Sequence, residues 1–328
     1  MMTSVLLVYF AMAVAISFVA VQEDRMQKAQ FKSPIFNGAS EQKYRNSQVT
    51  KDRIISIFIG FFALTWLFPI AWTIWSSLRP YNDVIANGVF SVPKTLNFDN
   101  YYNAIRLMKL PMYLSNSFLI TVPAVVLTLG FGSLIAFVVS RYSFKFNVAL
   151  LLFFTAGNLL PQQLVFIPLF KMYLAIGDFF GNRALLYDSI FGVVLIHVAF
   201  QLGFATFVLS SYLKTIPKEI SESAMVDGAS VWVHYTKIIL PLLRPPLASL
   251  AVLMTTWIYN DFFWALVLMK SDSKRPITSA LARLQGEFVT DFNLLAAGAI
   301  IAALPTLLIF IVLRKQFVSG LTLGSTKG

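Results

Sequence analysis

Apolar runs recur along this chain, each near or above the ~18 residues that let a helix cross a hydrocarbon core of roughly 30 Å. The weak period-two alternation of an outer-membrane barrel is absent. The runs therefore predict an all-α polytopic membrane protein. Composition agrees: 57% of the 328 residues are hydrophobic, 12% are charged and 31 are Phe. A water-soluble fold could not hide that much apolar surface.

Seven spans are expected, at 4–21, 54–78, 114–140, 148–170, 185–213, 247–269 and 294–313. Pro69, Pro123, Pro161, Pro168 and Pro305 fall inside them and mark kinks or breaks whose freed backbone groups packed neighbours can satisfy. No short-period repeat and no low-complexity run is visible.

The net charge of +11 raises the question of nucleic acid, and its distribution answers it. The segment 22–53 carries Arg25, Lys28, Lys32, Lys43, Arg45, Lys51 and Arg53. Placing it in the cytoplasm and alternating from there puts 16 Lys and Arg inside and 10 outside. That is the bias of a cytoplasmic face, and no nucleic acid is needed. The first run lacks the basic start of a secretory signal and is followed by positives, so residues 1–21 are expected to form a retained N-terminal transmembrane helix, with a cleaved signal or a mis-set start as the alternatives. The polar stretch 22–53 is expected to be a cytoplasmic linker without fixed structure.

The connection 214–244, cytoplasmic in this layout, is the most informative segment. Pro217 suits a helix start, and Glu219 and Glu222 favour the positive end of that helix. Gly228 offers a left-handed stop. Val231, Tyr235 and Ile238 then make an apolar stripe at i, i+4, i+7 on a second short helix. Pro241 with Pro245 and Pro246 ends it. The pattern predicts helix, sharp turn, helix.

Glu222-Ser223-Ala224, three residues, Gly228, nine residues, then Ile238-Ile239-Leu240-Pro241 resembles the E-A-A---G---------I-x-L-P loop of ABC importer permeases, with Ser223 in place of the first Ala. Asn158-Leu-Leu-Pro161-Gln162 with Pro168-Leu169, Trp257-x-x-Asn260-Asp261-Phe262-Phe263-Trp264, and the ending Gly320 to Gly328 are similar to the maltose-type carbohydrate permeases. The resemblance covers about residues 52–328. It implies a six-helix permease core over 54–316 and a cytoplasmic tail at 317–328; the N-terminal helix and the linker are additions that the resemblance does not match.

The resemblance further implies that this chain works with a second, homologous permease, two ATP-hydrolysing subunits that bind ATP and Mg, and an extracytoplasmic solute-binding protein that delivers a sugar. Glu222, Ser223, Ala224, Asp227, Gly228, Ile238, Leu240 and Pro241 would dock on an ATPase subunit. Glu222 would be the charged contact and Gly228 would set the helix angle. Leu323, Gly324, Ser325, Thr326, Lys327 and Gly328 would insert between the ATPase subunits, where a frayed terminus is the plainer reading.

Asp261 lies within an expected span, where a carboxylate marks a cavity or a partner. Asn260, Trp257, Tyr259 and Trp264 surround it. A sugar path wall and a structural contact at a helix end both fit, since Trp and Tyr also populate membrane interfaces. Asn158, Gln162 and Gln163 beside Pro161 suggest a broken helix opening on a cavity. His197 and Gln201 share a face suited to helix packing. An ion-coupled carrier using Asp261 is the rival to an ATP-driven permease, and it would have no use for a docking loop.

The absence of Cys excludes disulfides and thiolate metal sites. No Gly-rich phosphate loop is present, and His197 and His234 lack companions for a metal. No catalytic residues, bound cofactor or metal are expected on this chain.

Overall fold

The structure is a computed structural model that describes residues 38–89, 91–92, 95–106, 109–142, 145–159, 161–287 and 291–322. The expected first helix, the linker before residue 38 and the tail Leu323–Gly328 lie outside the described residues. Four described helices are long and apolar enough to cross a membrane, or five if one bent pair counts as a span. The chain falls into two compact units. One runs to Tyr101 and includes Phe292–Ile300; the other comprises Tyr102–Asp291 and the chain from Ile301.

In the first unit, α1 (Gly38–Ser77) begins well before the expected span at residue 54. The second half of the linker is therefore helical and continuous with the span, a correction to the expected unstructured segment. Its polar residues hydrogen-bond through their own backbone, and helix formation propagates readily from a nucleated span. Side chains along the apolar part of α1, such as Phe58, Phe61, Leu64 and Phe68, are exposed, as on a surface facing lipid or another subunit. Two short helices follow, α2 (Tyr81–Asn87) and α3 (Asp99–Arg106).

Between α1 and α2, Arg79 is 2% exposed, and a buried cation must be paired and hydrogen-bonded. It donates to Asp83 Oδ2 at 2.8 Å, to Val89 O at 2.8 Å and to Ser91 Oγ at 2.8 Å. The Arg79 carbonyl accepts from Asn100 Nδ2 at 2.7 Å and from Asn293 Nδ2 at 2.9 Å.

In the second unit, α4 (Leu110–Arg141) packs along α7 (Ile190–Leu213). Ala124, Thr128, Gly132 and Ala136, spaced by four, are all buried on α4. A Cβ on Gly132 would stand 2.9 Å from Ala205 Cβ. Small residues at this spacing let two apolar helices approach closely where no hydrophobic effect drives them together.

The expected span 148–170 is two helices, α5 (Asn147–Leu159) and α6 (Gln162–Phe179), separated at Pro161. Proline lacks the N–H needed to continue the ladder. α7 starts at Ile190 rather than at 185, because Asp188 takes φ +53° and the preceding turn folds back on it. A Cβ on Gly192 would meet Leu186 O at 1.9 Å.

The expected span 247–269 is also broken, into α10 (Arg244–Tyr259) and α11 (Phe263–Leu268). α12 (Ile277–Glu287) and α13 (Phe292–Thr322) complete the described chain. α13 runs past residue 317, so the first part of the expected tail is helical.

Candidate functional site

The connection after α7 holds α8 (Glu219–Val226) and α9, which runs Val231–Leu242. Pro217 precedes α8 by two residues instead of opening it. At its other end, Gly228 has φ +78°. The Gly228 N–H donates to Met225 O at 3.1 Å and the Ala229 N–H to Ala224 O at 3.0 Å. These two bonds form a Schellman closure, which glycine enters without a Cβ penalty. Ser230 then caps α9, its Oγ accepting from Val233 N at 3.3 Å. The helix, turn and helix of the sequence reading are all present.

The buried face of α9 differs from the expected stripe. Val231 is 60% exposed, and Ile238 is half-buried. His234, Tyr235, Ile239 and Leu243 are the residues inside. The buried stripe runs instead through Tyr235, Ile239 and Leu243 at i, i+4, i+8, with His234 beside it, and a π turn covers His234–Ile239. α9 and α10 meet at 70°, with Pro241 and the pair Pro245-Pro246 at the bend.

The outward face of the loop is mixed. Glu222, Ser223, Asp227 and Gly228 are exposed, beside Met225, Val226 and Trp232, the last two 86% and 66% exposed. Ala224 points inward and is buried. Leu240 and Pro241 are half-buried.

The inward face is tied to α4. His234 Nε2 and Ser221 Oγ are 3.1 Å apart. The His234 ring stands edge-on to Phe137 at 5.1 Å. Tyr235 OH and Ser133 Oγ share a hydrogen bond of 2.7 Å. The Arg141 guanidinium donates to Ile216 O at 3.2 Å. Sequence reasoning assigned no part to Ser221 or Ser133, and left His234 as an imidazole without metal companions. The signal available was a pair of polar residues, Ser221 and His234, flanking the Gly228 turn.

The interior polar residues form a separate group. The Asp261 carboxylate accepts from Trp264 N–H at 3.1 Å and stands 3.8 Å from His197 Nε2. The Asp261 carbonyl accepts from Thr278 Oγ1 at 2.5 Å. Asp261 thus caps α11 after the break, as an acid at a helix N-terminus does. A cavity of about 10 Å³ beside it is lined by Ser117, Thr121, His197, Tyr259 and Asp261.

The other expected path residues have varied surroundings. Trp264 is fully buried, packed against Phe200 and Phe263, each at 5.2 Å. Trp257 is 44% exposed and lies 5.3 Å from Phe204. Asn260 Nδ2 donates to Thr256 O in its own helix at 2.8 Å. Gln162 is half-buried at the start of α6. Asn158 lies in the last turn of α5; its side chain is outside the described residues.

At the end of α4 remote from the loop, Asp188 joins the turn before α7 to the segment after α11. Its Oδ1 accepts from the Lys270 and Ser271 N–H groups at 2.9 and 2.8 Å, and its Oδ2 from Ser271 Oγ at 2.5 Å. Lys274 Nζ donates to its carbonyl at 2.6 Å. Burial alone would raise the Asp188 carboxyl. The hydrogen bonds from Ser271 and Lys270 and the charge of Lys274 outweigh it and hold the carboxyl below its ordinary value. Tyr113 OH donates to Asp272 Oδ2 at 2.6 Å, and Asn116 Nδ2 to Ser273 O at 2.8 Å, so the same segment is fastened to α4.

Residues 128–321, from the middle of α4 to the end of α13, match the family of binding-protein-dependent transport system inner membrane components. The chain belongs to that family. It is 31% identical over 260 residues to a probable ABC transporter permease protein of Pyrococcus horikoshii, covering 79% of this chain and 91% of that one. It is 28% identical over 285 residues to the melibiose/raffinose/stachyose import permease protein of Bacillus subtilis, covering 87% of this chain and all of that one.

The fold is shared with a bacterial ABC transporter that imports the acidic polysaccharide alginate. That similarity has a TM-score of 0.72 and 21% identity, and it covers 87% of this chain and 100% of the other. The chain is therefore a multi-pass inner-membrane permease component with an ABC permease fold, as the resemblance of its Glu222–Pro241 motif led one to expect.

Proposed function

We propose that this permease is one of a pair of membrane subunits of an ATP-driven importer of sugars or oligosaccharides, and that its 217–241 loop docks on an ATPase subunit. The loop supports this reading. It is a short helix closed by a Schellman turn, held from within by buried contacts, and it presents Glu222 and Asp227 beside exposed Met225 and Val226. A rigid piece with a mixed apolar and acidic face suits a cleft on a partner that closes when it binds ATP. In this reading the loop and the C-terminus are cytoplasmic, ATP and Mg reside on the partner subunits, and a solute-binding protein feeds the opposite face. The tail Leu323–Gly328 belongs to the same interface, on its sequence resemblance. The carbohydrate class rests on the import permease of Bacillus subtilis among its relatives.

Because the chain has no Cys, Val226→Cys carries a unique thiol for a photo-crosslinker. Purified with its partners, that variant should give an adduct with an ATPase subunit. Adducts with lipid alone would overturn the docking assignment. Uptake by the whole complex in proteoliposomes, tested across labelled mono- and oligosaccharides, checks the substrate class; accumulation of none of them would remove it. The ion-coupled alternative through Asp261 is not favoured, since the chain belongs to a family of binding-protein-dependent transport components.

A further inference from the structure

We propose that the adjacent pair His234 and Tyr235, at the start of the π turn His234–Ile239, is a strut that makes the docking helix α8 and the inner end of α4 move as one body, both acting as positioning residues. The inference rests on the docking reading of the loop and adds the route by which the loop's motion would enter the membrane.

An eight-residue helix such as α8 is too short to hold its own orientation in isolation. Its direction is set by what it touches. Successive residues on a helix diverge by about 100°, so two adjacent buried residues address two different neighbours. Here His234 reaches Ser221 on α8 and Tyr235 reaches Ser133 on α4.

One ring ties the two contacts together. Phe137 of α4 lies 5.1 Å from the His234 ring and 5.5 Å from the Tyr235 ring. Phe137, Ser133, Ser221, His234 and Tyr235 are all buried, and close-packed interiors transmit displacement where exposed contacts would slip. The Arg141 guanidinium on Ile216 O adds a second tie ahead of α8. A push on α8 therefore cannot be absorbed in the loop; it must carry the last turns of α4 with it.

Both positioning residues stand at the start of the π turn His234–Ile239, and π turns recur at functional sites.

The test uses the complete complex, purified through this chain, with the partner subunits made free of cysteine. Spin labels are placed at Glu219→Cys on α8 and Val138→Cys on α4, both exposed positions, and their separation is measured by pulsed electron resonance. The complex is read without nucleotide and trapped with MgATP and vanadate. One narrow separation, the same in both states, is expected. His234→Ala should broaden it or make it change on trapping, and His234→Gln, which keeps a hydrogen-bonding group toward Ser221, should restore most of the narrow distribution.

A separation that changes with nucleotide in the unaltered complex would overturn the strut, as would a narrow and constant one in His234→Ala. Should His234→Ala fail to assemble, Ser221→Ala, which leaves the ring on Phe137, takes its place under the same criteria. Loss of the docking reading is distinguishable, because it would appear as absence of the crosslink from Val226→Cys in a complex that keeps His234.

Discussion

The Asp261 carboxylate accepts the backbone N–H of Trp264 at 3.1 Å, so an acid within an expected span serves the helix that restarts after the break. His197 stands 3.8 Å from the same oxygen. His197 is buried and Asp261 half-buried, and the carboxylate is engaged by the backbone.

Asp261→Asn keeps an oxygen acceptor at that position and removes only the charge. Uptake is expected to persist in vesicles supplied with ATP, with the ion gradients collapsed by ionophores. Asp261→Ala removes the cap as well and should cost about 0.5–2 kcal/mol of stability, read from thermal unfolding in detergent. Uptake that stops with ionophores while ATP is plentiful would contradict the ATP-driven reading.

Asp188 supplies a pH dependence whose sign follows from its depressed carboxyl. A carboxyl held lower in the folded state contributes stability fully above its unfolded value, about 4. That contribution is lost as pH falls through the folded value. The thermal midpoint of the purified protein should therefore drop as pH is taken below about 4, and Asp188→Asn should flatten that part of the profile. At neutral pH, Asp188→Ala leaves the Lys270 and Ser271 N–H groups without their acceptor and should cost about 1–3 kcal/mol.

Gly228 stands at φ +78°, and its N–H is used. Gly228→Pro loses both the angle and the donor and should abolish co-purification of the ATPase subunits or coupled uptake, while the chain still inserts. Gly228→Asn, which tolerates the left-handed region, should keep more function than Gly228→Val. Equal activity of the three variants in an intact complex would show that the angle of α8 is unimportant.

Much of the fold is legible because lipid imposes a simple demand. A span must be long, apolar and internally hydrogen-bonded, and all of that is local. Pro161 announced its break for the same local reason. The break at Asn260–Phe262 had no proline or glycine to announce it, since it depends on Thr278 reaching the Asp261 carbonyl and on the Asp261 cap. The roles of Trp264 and Trp257 were equally hidden. Two indoles a few residues apart look alike in sequence, and only packing against Phe200 buries the first while the second stays half-open.

By itself the sequence determined the helical class, the placement of most of the spans, the Gly228 turn and the loop motif that leads to the family, because each depends on residues close together along the chain. Only the tertiary structure decided which face of α9 is buried, that Ser221 meets His234 across the turn, and that Asp188 fastens the start of α7 to the segment after α11. Those outcomes depend on partners far apart in the chain. A contact made across a turn or between two helices leaves no period in the local sequence that would reveal it.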